Sequence, residues 1–192
     1  EALHLPLSPT HQIQGLLLAA DRLRQAAKRE EAARLYNQVI DLSIKEQMRL
    51  FAAKAHGGLG IMLAESGHLV AAAQHFEQQA AFARVHGLSS QLAQTLCRLA
   101  SCYTQQGRVS HAQAALQEAL HHAHQIEDPD VLILVRLAMG RVFLNTGHLD
   151  RVQKALDTSR SALLTTSTLS LRLNYRDLQG LYRLRQGDWQ AA

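Results

Sequence analysis

This 192-residue chain is poor in the residues that punctuate or staple a fold: it has 3 prolines, 2 cysteines, one tryptophan and an aromatic content of 5%. So little cysteine excludes a disulfide scaffold, and Cys97 and Cys102, five apart on one expected helix, face different sides and do not pair. Two thiols on an apolar face suit a reducing, cytoplasmic setting. The scarcity of aromatics excludes a deep aromatic pocket and a base-stacking platform for nucleic acid. No run approaches the roughly 18 apolar residues that span a membrane, since the longest stretch, VLILVRLAMG, is broken by Arg136. No secretory signal is visible, and no polar–apolar alternation marks a strand.

The chemistry of common catalysts is missing too. There is no H-E-x-x-H, C-x-x-C, G-x-G-x-x-G, G-x-S-x-G or phosphate-loop G-K-[ST]. No carboxylate pair is placed for acid–base work. Catalysis is therefore not expected, nor a cofactor. His121, His122 and His124 are clustered, and His121 and His124 share a helix face, but only Glu118 stands within a turn as a third ligand. Structural zinc takes four ligands, so no metal site is expected there, and the cluster reads as a solvated helix end.

What is present is a repeat. Glycine recurs at Gly67, Gly107, Gly147 and Gly187, a step of 40 residues. A small residue recurs at Ala20, Gly60, Ala100, Gly140 and Gly180, and a second small column at Ala32, Ala72, Ala112, Val152 and Ala192. Bulky columns run through Tyr36, Phe76, Leu116 and Leu156, and through Leu23, Leu63, Tyr103 and Phe143. A fixed period of this length marks a repeat architecture. Both halves of each unit show helical spacing, such as Leu96, Leu99, Ala100 and Tyr103, or Val109, Ala112, Leu116 and Leu120. The glycine supplies the left-handed residue that ends a helix and reverses the chain. The small columns let helices approach closely, so that Gly or Ala on one receives Tyr, Phe or Leu from the next. Asp128-Pro129, Ser8-Pro9, Ser89-Ser90 and Thr166-Ser167-Thr168 read as helix starts.

This pattern resembles the tetratricopeptide repeat (TPR) family over about residues 11–192. The likeness rests on the small residue at Gly60, Ala100, Gly140 and Gly180, the bulky residue three positions on, the glycine turn, and the Ala72/Phe76 and Ala112/Leu116 pairs. The unit of 40 departs from the family's common 34, and the closing proline is missing at Arg84, His124 and Leu164, which implies longer helices. The resemblance implies an all-α, right-handed superhelix of antiparallel hairpins. Residues 1–10 form an N-terminal extension, and residues 11–192 hold about four and a half units. The chain stops inside the fifth hairpin, so it is read as a segment of a longer protein.

In such a family the first helix of each hairpin lines a concave face that grips a protein or peptide. By register this face carries Lys54, Gln94, Arg98, Ser101, Gln105, Arg141, Asn145 and Asn174. Amides bond a peptide backbone, and arginine forks onto carboxylates. A clamp for a C-terminal carboxylate would need a Lys and an Asn one turn apart, but Lys54 is followed by Gly58. The extra glycines of HGGLG, Gly57 and Gly58, read either as close packing or as a cleared pocket for a small molecule. From Arg136 to Arg185 nine Lys/Arg face three Asp, a net of +6 against +4 for the whole chain, yet without interleaved aromatics. Nucleic acid is therefore not the expected partner. The expectation is a peptide- or protein-binding scaffold, the sensor module of a larger bacterial regulatory protein in the cytoplasm. Self-association through the open C-terminal hairpin and small-molecule sensing by the repeat domain are the rival expectations.

Overall fold

The computed structural model describes residues 8–164, 166 and 168–187. Among the described residues there are nine α-helices and no strand: α1 (Pro9–Gln25), α2 (Arg29–Lys45), α3 (Arg49–Glu65), α4 (Leu69–Val85), α5 (Ser89–Gln105), α6 (Val109–Gln125), α7 (Pro129–Asn145), α8 (Leu149–Leu163) and α9 (Leu169–Gln186). Helices begin at residues 9, 29, 49 and so on to 169, so the 40-residue unit is two helical steps of 20. The first helix starts at Pro9, inside the segment expected as an extension. Residues 1–7, Thr165, Ser167 and 188–192, where the sequence predicts the fifth unit's second helix with Ala192, lie outside the described residues.

The turns explain the step. At Gly67 the backbone enters the left-handed region at φ 80°. Gly67 N–H then donates to Ala64 O at 3.0 Å and His68 N–H to Leu63 O at 2.9 Å. These are the paired bonds that close a helix around one left-handed residue. The same pair forms around Ala27, where Lys28 N–H reaches Leu23 O, and around Gln47, where Met48 N–H reaches Ser43 O. Thus Ala27 (φ 58°), Gln47 (φ 57°) and Glu127 (φ 51°) hold a conformation that a β-carbon disfavours. Replacing any one of them by glycine is expected to stabilise the chain by about 0.5–1 kcal/mol, and Gly67→Ala to destabilise it by about 1 kcal/mol. Urea denaturation midpoints check this; a glycine at Gln47 that lowers stability would contradict it.

Helix starts are mostly uncapped. Ser8 accepts from His11 N–H and Asp128 from the Asp130 and Val131 N–H groups, each ahead of a proline in the first turn. The Ser89-Ser90 expectation is corrected: the cap position is Leu88, with no side-chain bond, and Ser89 is already helical. Its hydroxyl instead meets His122 Nδ1 at 3.3 Å. The Thr168 side chain makes no cap bond. With few caps, most helical stability has to come from tertiary packing.

The chain divides into two compact units, residues 1–86 and 87–192. In the first, α1–α3 enclose a core of Ile13, Ala20, Ala32, Tyr36, Val39, Ala55, Leu59 and Met62. Two notches in α3 seat aromatic rings: a β-carbon at Gly60 would lie 2.7 Å from the Phe76 ring, and one at Gly58 would lie inside contact of the Tyr36 ring. Gly57 seats the Gln79 amide, whose Nε2 would be 2.5 Å from such a carbon. The cleared pocket expected at Gly57 and Gly58 is therefore corrected. Both glycines are buried, and their space is filled by Gln79 and Tyr36 from within the unit.

In the second unit, α7–α9 enclose Ile133, Leu137, Leu144, Val152, Leu156, Leu163, Leu171, Leu178 and Tyr182. The notch at Gly140 receives Leu178 of α9, with Cδ2 2.6 Å from the β-carbon position, and Ala155 stands beside it. Helix α9 reaches this notch because the first helices of successive hairpins pack side by side, as α5 and α7 also do.

Candidate functional site

Within the second unit, α5, α7 and α9 leave a groove of about 680 Å³. Its walls carry Gln94, Arg98 and Ser101 from α5, Asp130, Val131, Leu134, Leu137 and Arg141 from α7, and Ser170 and Asn174 from α9. An adjoining cavity of about 210 Å³ shares Cys97, Ser101, Ala138 and Arg141 with it and adds Gln105 and Asn145. Seven of the eight residues expected on the binding face thus line these two cavities. Lys54 does not: it lies in the first unit, exposed, with its ammonium 5.8 Å from the centre of the Phe51 ring one turn away.

The groove is polarised. At the start of α7, Asp128 caps the helix, while Asp130 accepts hydrogen bonds from Thr166 at 2.5 Å and from Thr168. Those two hydroxyl bonds, Thr166 first, hold the Asp130 carboxyl below its ordinary pKa, so it stays anionic. Eleven residues on, about 17 Å along the helix axis, Arg141 donates from Nη2 to Asp177 Oδ2 at 2.6 Å. That pair is half-exposed, so an incoming carboxylate competes with Asp177 at small cost. Between the charged ends the floor is Val131, Leu134, Leu137 and Cys97. Burial pushes the Cys97 thiol up to about 12, which leaves it protonated and unreactive at neutral pH.

The sequence reading missed Asp128, Asp130 and Thr168 as groove residues. The available signal was the Asp128-Pro129-Asp130 cap. The Arg172 guanidinium folds back on the same segment, donating to Thr166 O at 2.6 Å. Of the histidine cluster, His121 Nε2 lies 3.1 Å from Gln125 Nε2 and His122 meets Ser89. Among the described residues no three His, Cys, Asp or Glu side chains converge as a metal set, and no helix is long and apolar enough to cross a membrane.

A chain of paired helices with small-residue notches and left-handed turn residues is a TPR-like helical-repeat fold. A kinesin light chain-like protein of Podosopora anserina with nearly identical TPR-like repeats is similar to it at TM-score 0.73 and 16% identity, over 96% of this chain and 91% of that one. BtubC (BKLC) from P. vanneervenii is similar at TM-score 0.76 and 17% identity, over 97% of this chain and 78% of that one. At these identities the likeness is one of fold. No protein-family model matches the chain, and no curated protein matches its sequence.

Proposed function

We propose that this chain is a non-catalytic binding module that grips an extended peptide segment of a partner protein in the groove of the second unit. The observation that carries this reading is the polarised groove itself. Asp128 and Asp130 stand at the start of α7 and Arg141, paired with Asp177, toward its end; Arg98, amides, hydroxyls and an apolar floor complete the lining. A span of about 17 Å suits about five extended residues. The matching ligand has a basic residue at one end, an acidic residue at the other, and apolar side chains between them. Gln94, Ser101 and Asn174 supply donors and acceptors for its backbone. The setting that fits is the interaction or sensor module of a larger bacterial regulatory protein in the cytoplasm. A ligand would act there by favouring one arrangement of the helices over another.

A random ten-residue peptide library selected against the chain tests this. Enriched peptides should carry opposite charges about five residues apart. Arg98→Glu with Arg141→Glu should weaken them at least tenfold, about 1.4 kcal/mol, while Lys54→Glu leaves them unchanged. Circular dichroism confirms that all three proteins are folded. No enrichment, or equal affinity of the double variant, would remove the proposal.

One observation favours self-association as a second reading. Leu173 of α9 is 56% exposed, whereas its register equivalents Ile13, Ala53, Ala93 and Ile133 are buried. Leu169, Leu181 and Leu184 extend the apolar surface along the same helix. A mass that does not change with concentration would set this reading aside.

A further inference from the structure

His56 of α3 and His75 of α4 meet within the second hairpin through an Nδ1–Nδ1 hydrogen bond of 2.9 Å, with ring centres 5.1 Å apart. Both rings are half-buried. One Nδ1 carries the proton of this bond and the other accepts it, so a bound ion would take that proton's place between two imidazole nitrogens.

The separation is informative. Two nitrogens each about 2.0–2.1 Å from one ion stand about 2.9 Å apart when they subtend a right angle, and about 3.3 Å apart at the tetrahedral angle. The hydrogen-bonded separation equals the right-angle value, so an ion can replace the shared proton with little movement of either ring, in the arrangement that copper(II) and nickel(II) favour with nitrogen and oxygen donors.

A third candidate donor lies on α4. Gln79 follows His75 by four residues, so both rise on one helix face. Its amide is wedged over Gly57, the residue after His56. Gln79 is 7% exposed, and its Oε1 is a buried acceptor with no hydrogen-bond partner. A buried amide oxygen without a partner destabilises the fold, and a cation or its bound water would relieve that cost. The notch at Gly57 is what admits the amide: with a β-carbon there, Gln79 could not lie against α3.

We propose that His56 and His75, through their Nδ1 atoms, form a binding site for a divalent first-row transition ion, with the Gln79 carbonyl oxygen as a further donor. In the bound form each ring carries its proton on Nε2, and the remaining positions take water. Copper(II) is the tightest occupant and nickel(II) the next, following the general order of divalent affinities for such ligands. With the second helical hairpin closed around it, the ion ties α3 to α4.

Copper(II) titration of the full chain tests this, read by calorimetry and electron paramagnetic resonance. The expected result is one site per chain of micromolar affinity or tighter, with a square-planar signal and couplings from two imidazole nitrogens. His56→Asn and His75→Asn should each weaken it at least 100-fold. A variant with alanine at His121, His122 and His124 should bind as the parent does. If either asparagine variant fails to fold by circular dichroism, zinc titration of the parent labelled with ¹⁵N-histidine replaces it. Imidazole shifts should then be confined to two of the eleven histidines, the pair that shows mutual contacts. Loss of the site in the triple-alanine variant, shifts at other histidines, or no site in the parent would each overturn the proposal.

Discussion

Tyr36→Ala is expected to destabilise the chain by about 3–5 kcal/mol, the range for emptying a fully buried aromatic site. Tyr36 is 0% exposed, and its ring fills the notch at Gly58. Its hydroxyl donates to Asp21 Oδ1 at 2.5 Å. Burial first, then that bond, raises the phenol well above its usual pKa, so it remains a donor across the whole accessible range. The diagnostic result is a reversal of sign. In the parent, Gly58→Ala should cost about 1–3 kcal/mol, because the new carbon meets a buried ring anchored at its far end. With Tyr36 already truncated, the same Gly58→Ala change should stabilise by about 1 kcal/mol, since alanine is the better helix former and part of the cavity is filled. A double-mutant cycle in urea measures this. Additive effects of the two changes would show that ring and notch do not meet. Hydrogen exchange should place the loss in α1–α3, because a repeat transmits packing chiefly to its neighbours.

Leu178→Ala should cost about 2–5 kcal/mol and should also weaken peptide binding, although Leu178 lines neither cavity. Leu178 is fully buried against Gly140 and holds α9 on α7. Helix α9 in turn supplies Ser170, Leu171 and Asn174 to the groove. The neighbouring ion pair of Arg141 and Asp177 is the control. Its members are 43% and 54% exposed, and such pairs contribute about 0–1 kcal/mol. Asp177→Asn should therefore leave stability almost unchanged while freeing Arg141 for a ligand carboxylate. Faster exchange of α9 amides in Leu178→Ala, with none in Asp177→Asn, is the expected pattern. Equal stability losses in the two variants would contradict the division of labour between notch and surface pair.

Taken alone, the sequence determined the helical class, the 40-residue unit, the position of the hairpin turns and the face that lines the groove. These follow from short-range rules. Apolar residues at helical spacing define a stripe, glycine permits a left-handed residue, and a register transfers a face from one hairpin to the next. Those rules act over a few residues, or repeat identically, so they survive without coordinates.

Only the tertiary structure decided what fills each notch. Gly58 looked like a gap because its occupant, Tyr36, comes from the preceding hairpin, 22 residues away. Gly140 takes Leu178 of the following hairpin. The 20-residue step was hidden because Gln47 and Glu127, at the turns between hairpins, hold the left-handed conformation without being glycine. At Gln47 the closed pair of backbone bonds and the packing of both flanking helices outweigh a local penalty of about 1 kcal/mol. Asp130 entered the groove wall, and His56 met His75, through helix pairings whose register no local spacing specifies. Which side chains meet across helices depends on the summed packing of whole faces, and that sum exists only once the helices are stacked.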